Sequence, residues 1–156
     1  MKVTNIQILF IRLAIGGLFL NMGLEKYHGG WLSSSQVLLD SLQHYLLHAT
    51  GAQMTYLNYI AIPYAGMWSK LMTIGELAVA VSLLLGLFTR LSSLIAIFMV
   101  LNFSAANGNL FSWNFFGSPW AALLLAGLLA TFLARSGRWI GLDALLAKSN
   151  SGSILW

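Results

Sequence analysis

Residues 71–89 read LMTIGELAVAVSLLLGLFT, with one ionisable side chain, Glu76, and the run stops at Arg90. About 20 consecutive apolar residues in a helix match the hydrocarbon thickness of a bilayer. Directly beyond Arg90, residues 91–108 (LSSLIAIFMVLNFSAANG) carry no charge. The short link Phe88-Thr89-Arg90 therefore predicts a tight antiparallel hairpin of two membrane helices. Outward from this hairpin, residues 5–24 and 117–134 have the same character, interrupted only by Arg12. The four runs predict an all-α integral membrane four-helix bundle, one membrane domain over residues 1–156 with spans at about 5–24, 71–89, 91–108 and 117–134.

Composition agrees with that reading. The chain is 58% hydrophobic and 8% charged, against about 25% charged residues in an average soluble domain, too few to cover a water-soluble surface. Lys2 ahead of an apolar run imitates a secretory signal, but the run is too long, contains Arg12 and reaches Gly23-Leu24-Glu25-Lys26 without a small-residue cleavage site, so it reads as a retained span. The absence of cysteine excludes disulfides, thiolate metal sites and cysteine redox chemistry. Lys2, Arg90, Arg135, Arg138 and Lys148 fall on one side of the four spans. Lys26 and Lys70 fall on the other, offset by Glu25 and Asp40. The positive-inside rule then places both termini in the cytoplasm. The basic character reports topology; no basic stripe with interleaved aromatics points to nucleic acid.

The connection from Glu25 to Lys70 is too long for a bare helix–helix turn and is predicted to contain structure. Ser33, Ser34 and Ser35 offer N-caps, and Gly51 offers a C-cap. Between them Gln36, Asp40, His44 and His48 repeat every four residues, away from Leu38, Leu42, Tyr45 and Leu46. That pattern is an amphipathic helix at the outer interface, capping the mouth of the bundle together with the aromatic stretch 56–68. The uncharged, aromatic segment 107–119 is expected to rest in the same interface. Small residues at four-residue steps, Ala122, Ala126, Ala130 and Ala134 in one span and Ala78, Ser82 and Gly86 in another, are expected to form packing ridges within the chain or toward another subunit.

Ionisable side chains inside a bilayer cost about 2.5 kcal/mol or more and normally face a partner or cavity. Arg12 and Glu76 are therefore the first candidates, with Lys26 at the outer end of the first span. Two readings stand. In one, Arg12 and Glu76 are a structural ion pair fixing helix register; in the other, Arg12 and Lys26 bind an anion or a quinone oxygen while Glu76, the catalytic candidate, takes up or passes a proton. His28, beside Gly29 and Gly30, and Asn102, within the third span, are further candidate contacts for such a ligand, each with a bland alternative as a loop residue or a helix–helix hydrogen bond. Asp40, His44 and His48 have a spacing that could serve a metal, but no third strong ligand accompanies them, and the polar face of an interfacial helix explains them; no metal site is predicted.

The ordered set Arg12-Leu-Ala-Ile-Gly16, Gly23-Leu-Glu-Lys26, Gly75-Glu76, Leu83-Leu-Leu-Gly86-Leu-Phe-Thr-Arg90 and Gly137-Arg-Trp-Ile-Gly-Leu-Asp143 resembles the DoxX/DoxD family of small four-helix membrane proteins. The resemblance implies a multi-pass protein of a bacterial or archaeal cytoplasmic membrane, with a protein partner subunit or a homo-oligomer. Family members named for thiosulfate oxidation supply a quinone-reducing membrane subunit, so quinone is the implied redox partner. The competing expectation is a non-catalytic accessory subunit docked on a larger respiratory or photosynthetic complex.

Overall fold

The computed structural model describes residues 3–111, 119–134, 137 and 141–144. Among them the order is α1 (Val3–His28), α2 (Gln36–Leu46), α3 (Gly51–Tyr56), a π-helical turn Leu57–Ala61, α4 (Ala65–Leu85), α5 (Thr89–Ala106), a 3₁₀ turn Asn109–Phe111 and α6 (Pro119–Ala134). α1, α4 and α5 are long and apolar enough to cross a membrane, and α6 is a shorter apolar helix of 16 residues. α1 packs on α4 and α6, and α5 packs on the same two, so the four helices close a ring. Its interior is Ile15, Phe19, Met72, Val79, Ala80, Leu83, Ala96, Met99, Val100 and Leu128. The outer surface carries Phe10, Ile74, Phe98, Leu123 and Leu133, all exposed.

Two missing side chains set the register of α1 against α4. A Cβ on Gly16 would lie 3.0 Å from Leu84 Cγ, and one on Gly23 would lie 2.8 Å from Leu77 Cδ2. Gly16 and Gly23 are seven residues apart, as are Leu77 and Leu84, so two leucines of one helix seat on two bare backbone sites of the other. Small residues allow this close approach where no hydrophobic effect drives helices together. Carried along both helices, the register puts Arg12 level with Phe88 and Glu76 level with Leu24.

The segment between α1 and α4 folds over one end of the ring, called the cap end below; the α4–α5 link marks the hairpin end. Under α2, Leu38 and Leu42 join Ala49, Leu57, Ala61, Ala65 and Ala106 in a second apolar cluster, while Asp40, His44 and His48 are exposed. Gly51 does not end α2, which stops at Leu46; with φ at +55° it starts α3 instead. The π turn precedes Pro63, which has no N–H to continue a helix. There the Ile62 N–H reaches back five residues to the Leu57 carbonyl (3.0 Å), and the Trp68 indole N–H donates to the Ile60 carbonyl (3.3 Å).

The helix predicted at 71–89 runs instead from Ala65 to Leu85. Lys70 is exposed one turn inside it, which its long side chain permits, and Gly86 terminates it in the left-handed conformation. On α6 the inward face is Gly127, Leu128 and Thr131, whereas Ala126 of the expected ridge is exposed; Gly127 accommodates Ile15, which would meet a Cβ there at 2.6 Å. Residues 112–118 of the second expected interfacial loop, and Lys2, Arg135, Arg138 and Lys148 of the basic rim, lie outside the described residues.

Gly23→Val places two methyl groups where Leu77 sits and should lower the thermal unfolding midpoint in detergent by several degrees. Gly17→Ala meets nothing within 4 Å and removes a helix-interior glycine worth about 1 kcal/mol. It should hold or raise the midpoint; equal losses in both variants would refute the seam.

Candidate functional site

At the cap end, the ammonium of Lys26 donates to both oxygens of Glu76, at 2.7 Å each. The Glu76 side chain is 1% exposed and that of Lys26 11%. The Lys26 Nζ also stands 5.4 Å from the Trp31 ring centroid and 5.3 Å from that of Phe103. Two aromatic faces and a two-point carboxylate contact hold one ammonium, a strong arrangement for a charge out of water. Glycine packing brings the two helices close enough for this pair, and the Lys26 side chain spans its small offset in register from Glu76.

Lys26 faces a cavity of about 330 Å³ between the cap and the ring. Its walls include Trp31, Leu42, Tyr45, Trp68, Met72 and Phe103, with Glu25, Ser41, Tyr56 and Asn102 adding polar atoms. Glu25 accepts a hydrogen bond from the Asn21 amide at 2.7 Å. Tyr56 is half-buried, and burial pushes its hydroxyl above the ordinary tyrosine range, opposed by a hydrogen bond with Asn102. Glu76 does not line this cavity. It sits behind Lys26 and borders a second cavity of about 160 Å³ with Phe19, Met22, Met99, Ser104, Asn107 and Trp120. Phe103 borders both.

Arg12 is elsewhere. It is 2% exposed and lies at the hairpin end, where a Cβ on Gly86 would come within 3.0 Å of its guanidinium and where the Asp143 carboxylate acts on it electrostatically. Asp143, fully buried, accepts hydrogen bonds from the Phe88 N–H (2.6 Å), the Thr89 N–H (3.0 Å) and the Thr89 hydroxyl (2.8 Å). It thus caps the first turn of α5, and its own N–H donates to the Gly86 carbonyl at 2.9 Å. Nearby, the Arg90 guanidinium stacks 4.5 Å from the Phe132 ring centroid.

The expected association of Arg12 with Glu76 is therefore corrected, because the glycine register separates their levels by about 18 Å along the helices. Lys26, Glu76 and Asn102 do gather at the cap end. His28 is exposed, in edge contact with Tyr27, and is not among the cavity walls. His44 and His48 lie with ring centroids 6.1 Å apart on the outside of α2, and among the described residues no three His, Asp or Glu side chains group as a metal site. Sequence reasoning missed Tyr56, Trp31 and Asp143 as site or locking residues. Asp143 had a signal, a carboxylate closing the Gly-Leu-Asp run near the last span.

A multi-pass helical membrane protein with a charge pair buried under a folded cap is the class that this geometry defines. The family model DoxX matches residues 7–108, which contain Arg12, Lys26, Glu76, Asn102 and the whole cap, and the chain belongs to that family. No curated protein and no solved structure matches it.

Removing one partner of a buried pair strands the other charge, at a cost of about 3–5 kcal/mol. Lys26→Met should therefore strongly lower the unfolding midpoint, and Lys26→Met/Glu76→Gln should regain most of the loss. A double variant no more stable than the single one would show that the pair is not coupled. Asp143→Ala should lose at least the ~0.5–2 kcal/mol of a helix cap, with protease sensitivity rising first at the 86–90 link; an unchanged cleavage pattern would contradict the locking role.

Proposed function

We propose that this chain is the membrane subunit of a quinone-linked redox system, of the kind that oxidises thiosulfate, and that it holds the quinone headgroup in the cap cavity. In this reading the four helices of the ring, the shorter α6 included, cross a bacterial or archaeal cytoplasmic membrane, both termini are cytoplasmic, and the cap lies at the outer interface. The observation that carries the proposal is a buried ammonium at an aromatic-walled cavity of about 330 Å³. That volume is at the lower end of the range for small-molecule sites, enough for a ring headgroup whose tail continues into lipid. Trp31, Trp68 and Phe103 offer faces for the ring, and Lys26 offers a donor to a carbonyl oxygen. A bound quinone supplies the electron-accepting carbonyls.

The residues divide the work. Lys26 binds the oxygen and stabilises negative charge that develops there. Glu76, ionised in the pair, orients Lys26, and once it has taken up a proton from outside the pair it can restore the one that Lys26 passes on, acting on the ligand only through it. Asn102 adds an amide at the cavity wall. Arg12 and His28 have no place in this pocket, the first because it serves the hairpin end and the second because it is exposed and not part of the cavity wall. The second reading, an accessory subunit docked on a larger complex, is favoured by one observation, the exposed Tyr59, Tyr64 and Met67 of the cap and of the start of α4.

Purified protein titrated with a short-chain ubiquinone analogue should show saturable quenching of tryptophan fluorescence, because Trp31 and Trp68 line the cavity. Lys26→Gln/Glu76→Gln should lose it while remaining folded. Unchanged quenching in that variant would reject the site. Recovery of the chain only inside a large complex after mild detergent extraction, with no quenching, would favour docking.

A further inference from the structure

The cavity wall carries a second polar group, and the cap is bolted to α5 in a way that sets it. The Gln53 amide of α3 donates to the Ala106 carbonyl at 3.1 Å. A Cβ on Gly108 would lie 2.5 Å from Gln53 Oε1, so this side chain is clamped over the end of α5. One turn further along α3 stands Tyr56, and one turn back along α5 stands Asn102; the Asn102 amide interacts with the Tyr56 hydroxyl, and both residues line the cavity. The antiparallel pairing of Gln53 with Ala106 and Tyr56 with Asn102 delivers a phenol from the cap to an amide in the span. The π turn begins at the next residue, Leu57, which is fully buried, so Tyr56 ends a helix whose direction is fixed on both sides.

We infer that Tyr56, presented by Gln53 and supported by Asn102, is the second anchor of the ligand, donating its hydroxyl hydrogen bond to a second oxygen of the ring, distinct from the one held by Lys26. The site then selects planar rings with two acceptor oxygens over rings with one. This inference rests on the cap cavity being the ligand site, and it adds a specificity residue that acts from the cap and not from a span. The chemistry fits: the phenol can donate to the ligand while its oxygen accepts from the Asn102 amide, so neither polar group is left unpaired when water is displaced.

Binding of tetramethyl-1,4-benzoquinone and of tetramethylanisole, which carries one ring oxygen, should be compared by tryptophan quenching in the purified full chain. The wild type should prefer the two-oxygen ring, and Tyr56→Phe should weaken that ring about five- to tenfold, the worth of one hydrogen bond, while leaving the one-oxygen ring unchanged. Gly108→Val, which displaces Gln53, should erase the same preference. Tyr27→Phe, which removes an exposed hydroxyl outside the cavity wall, should keep it, and circular dichroism should show all variants folded. A Tyr56→Phe variant that retains the full preference, in a protein whose quinone binding still depends on Lys26 and Glu76, overturns this inference and leaves the ion-pair site standing. Absence of binding by either ring to the wild type overturns both.

Discussion

Leu77 and Leu84 rest on the bare backbone of Gly23 and Gly16, and the rest of the molecule takes its positions from that seam. A membrane offers helices no hydrophobic reward for touching, so contact depends on fit. Here the fit repeats every seven residues and holds α1 and α4 in one register. Lys26 then comes within reach of Glu76, and Arg12 lies beside the α4–α5 link, at the opposite end. Two cations on one helix thus answer to two different carboxylates: Lys26 pairs with Glu76 of α4, and Arg12 feels the charge of Asp143 from beyond α6.

The cap makes the pair useful. A carboxylate and an ammonium at the end of a helix ring would otherwise face water and interact weakly. Trp31 and Phe103 enclose the ammonium, and the apolar cluster of Leu38, Leu42, Leu57 and Ala106 seals the cap down, leaving a cavity with one charged end. Glu76 is shared between two spaces: it serves the larger cavity through Lys26 and borders the smaller one directly.

The all-helical class and the three long spans were legible because hydropathy over about 20 residues is a strong signal. Helix ends were less so. Lys70 read as a boundary, yet long cationic side chains can reach outward from inside a helix, and Gly86, two residues before Phe88, was the true stop. At the site, Lys26, Glu76 and Asn102 could be named as candidates from cost alone, since ionisable and polar groups are rare in spans. They could also be grouped around one ligand, with Arg12 and His28 added. The member placed wrongly was Arg12, set beside Glu76 on cost alone, because register is decided by which glycines accept which leucines, a matter of surface shape. Tyr56 was hidden for another reason: in an aromatic loop every tyrosine resembles an interface anchor until the cap's fold selects one.

The knot at the hairpin end has a consequence for how the protein is made. Arg12 enters the membrane with the first helix, whereas Asp143, which caps α5 and acts on Arg12, is among the last described residues and lies beyond the stretch matched by the family model. At ~5–20 residues per second, synthesis takes on the order of ten seconds to supply it. Throughout that interval the α4–α5 link lacks the carboxylate that fastens its turn. The finished fold is thus closed from its far end, and the assembly intermediate differs from the native state most at the place that holds it shut.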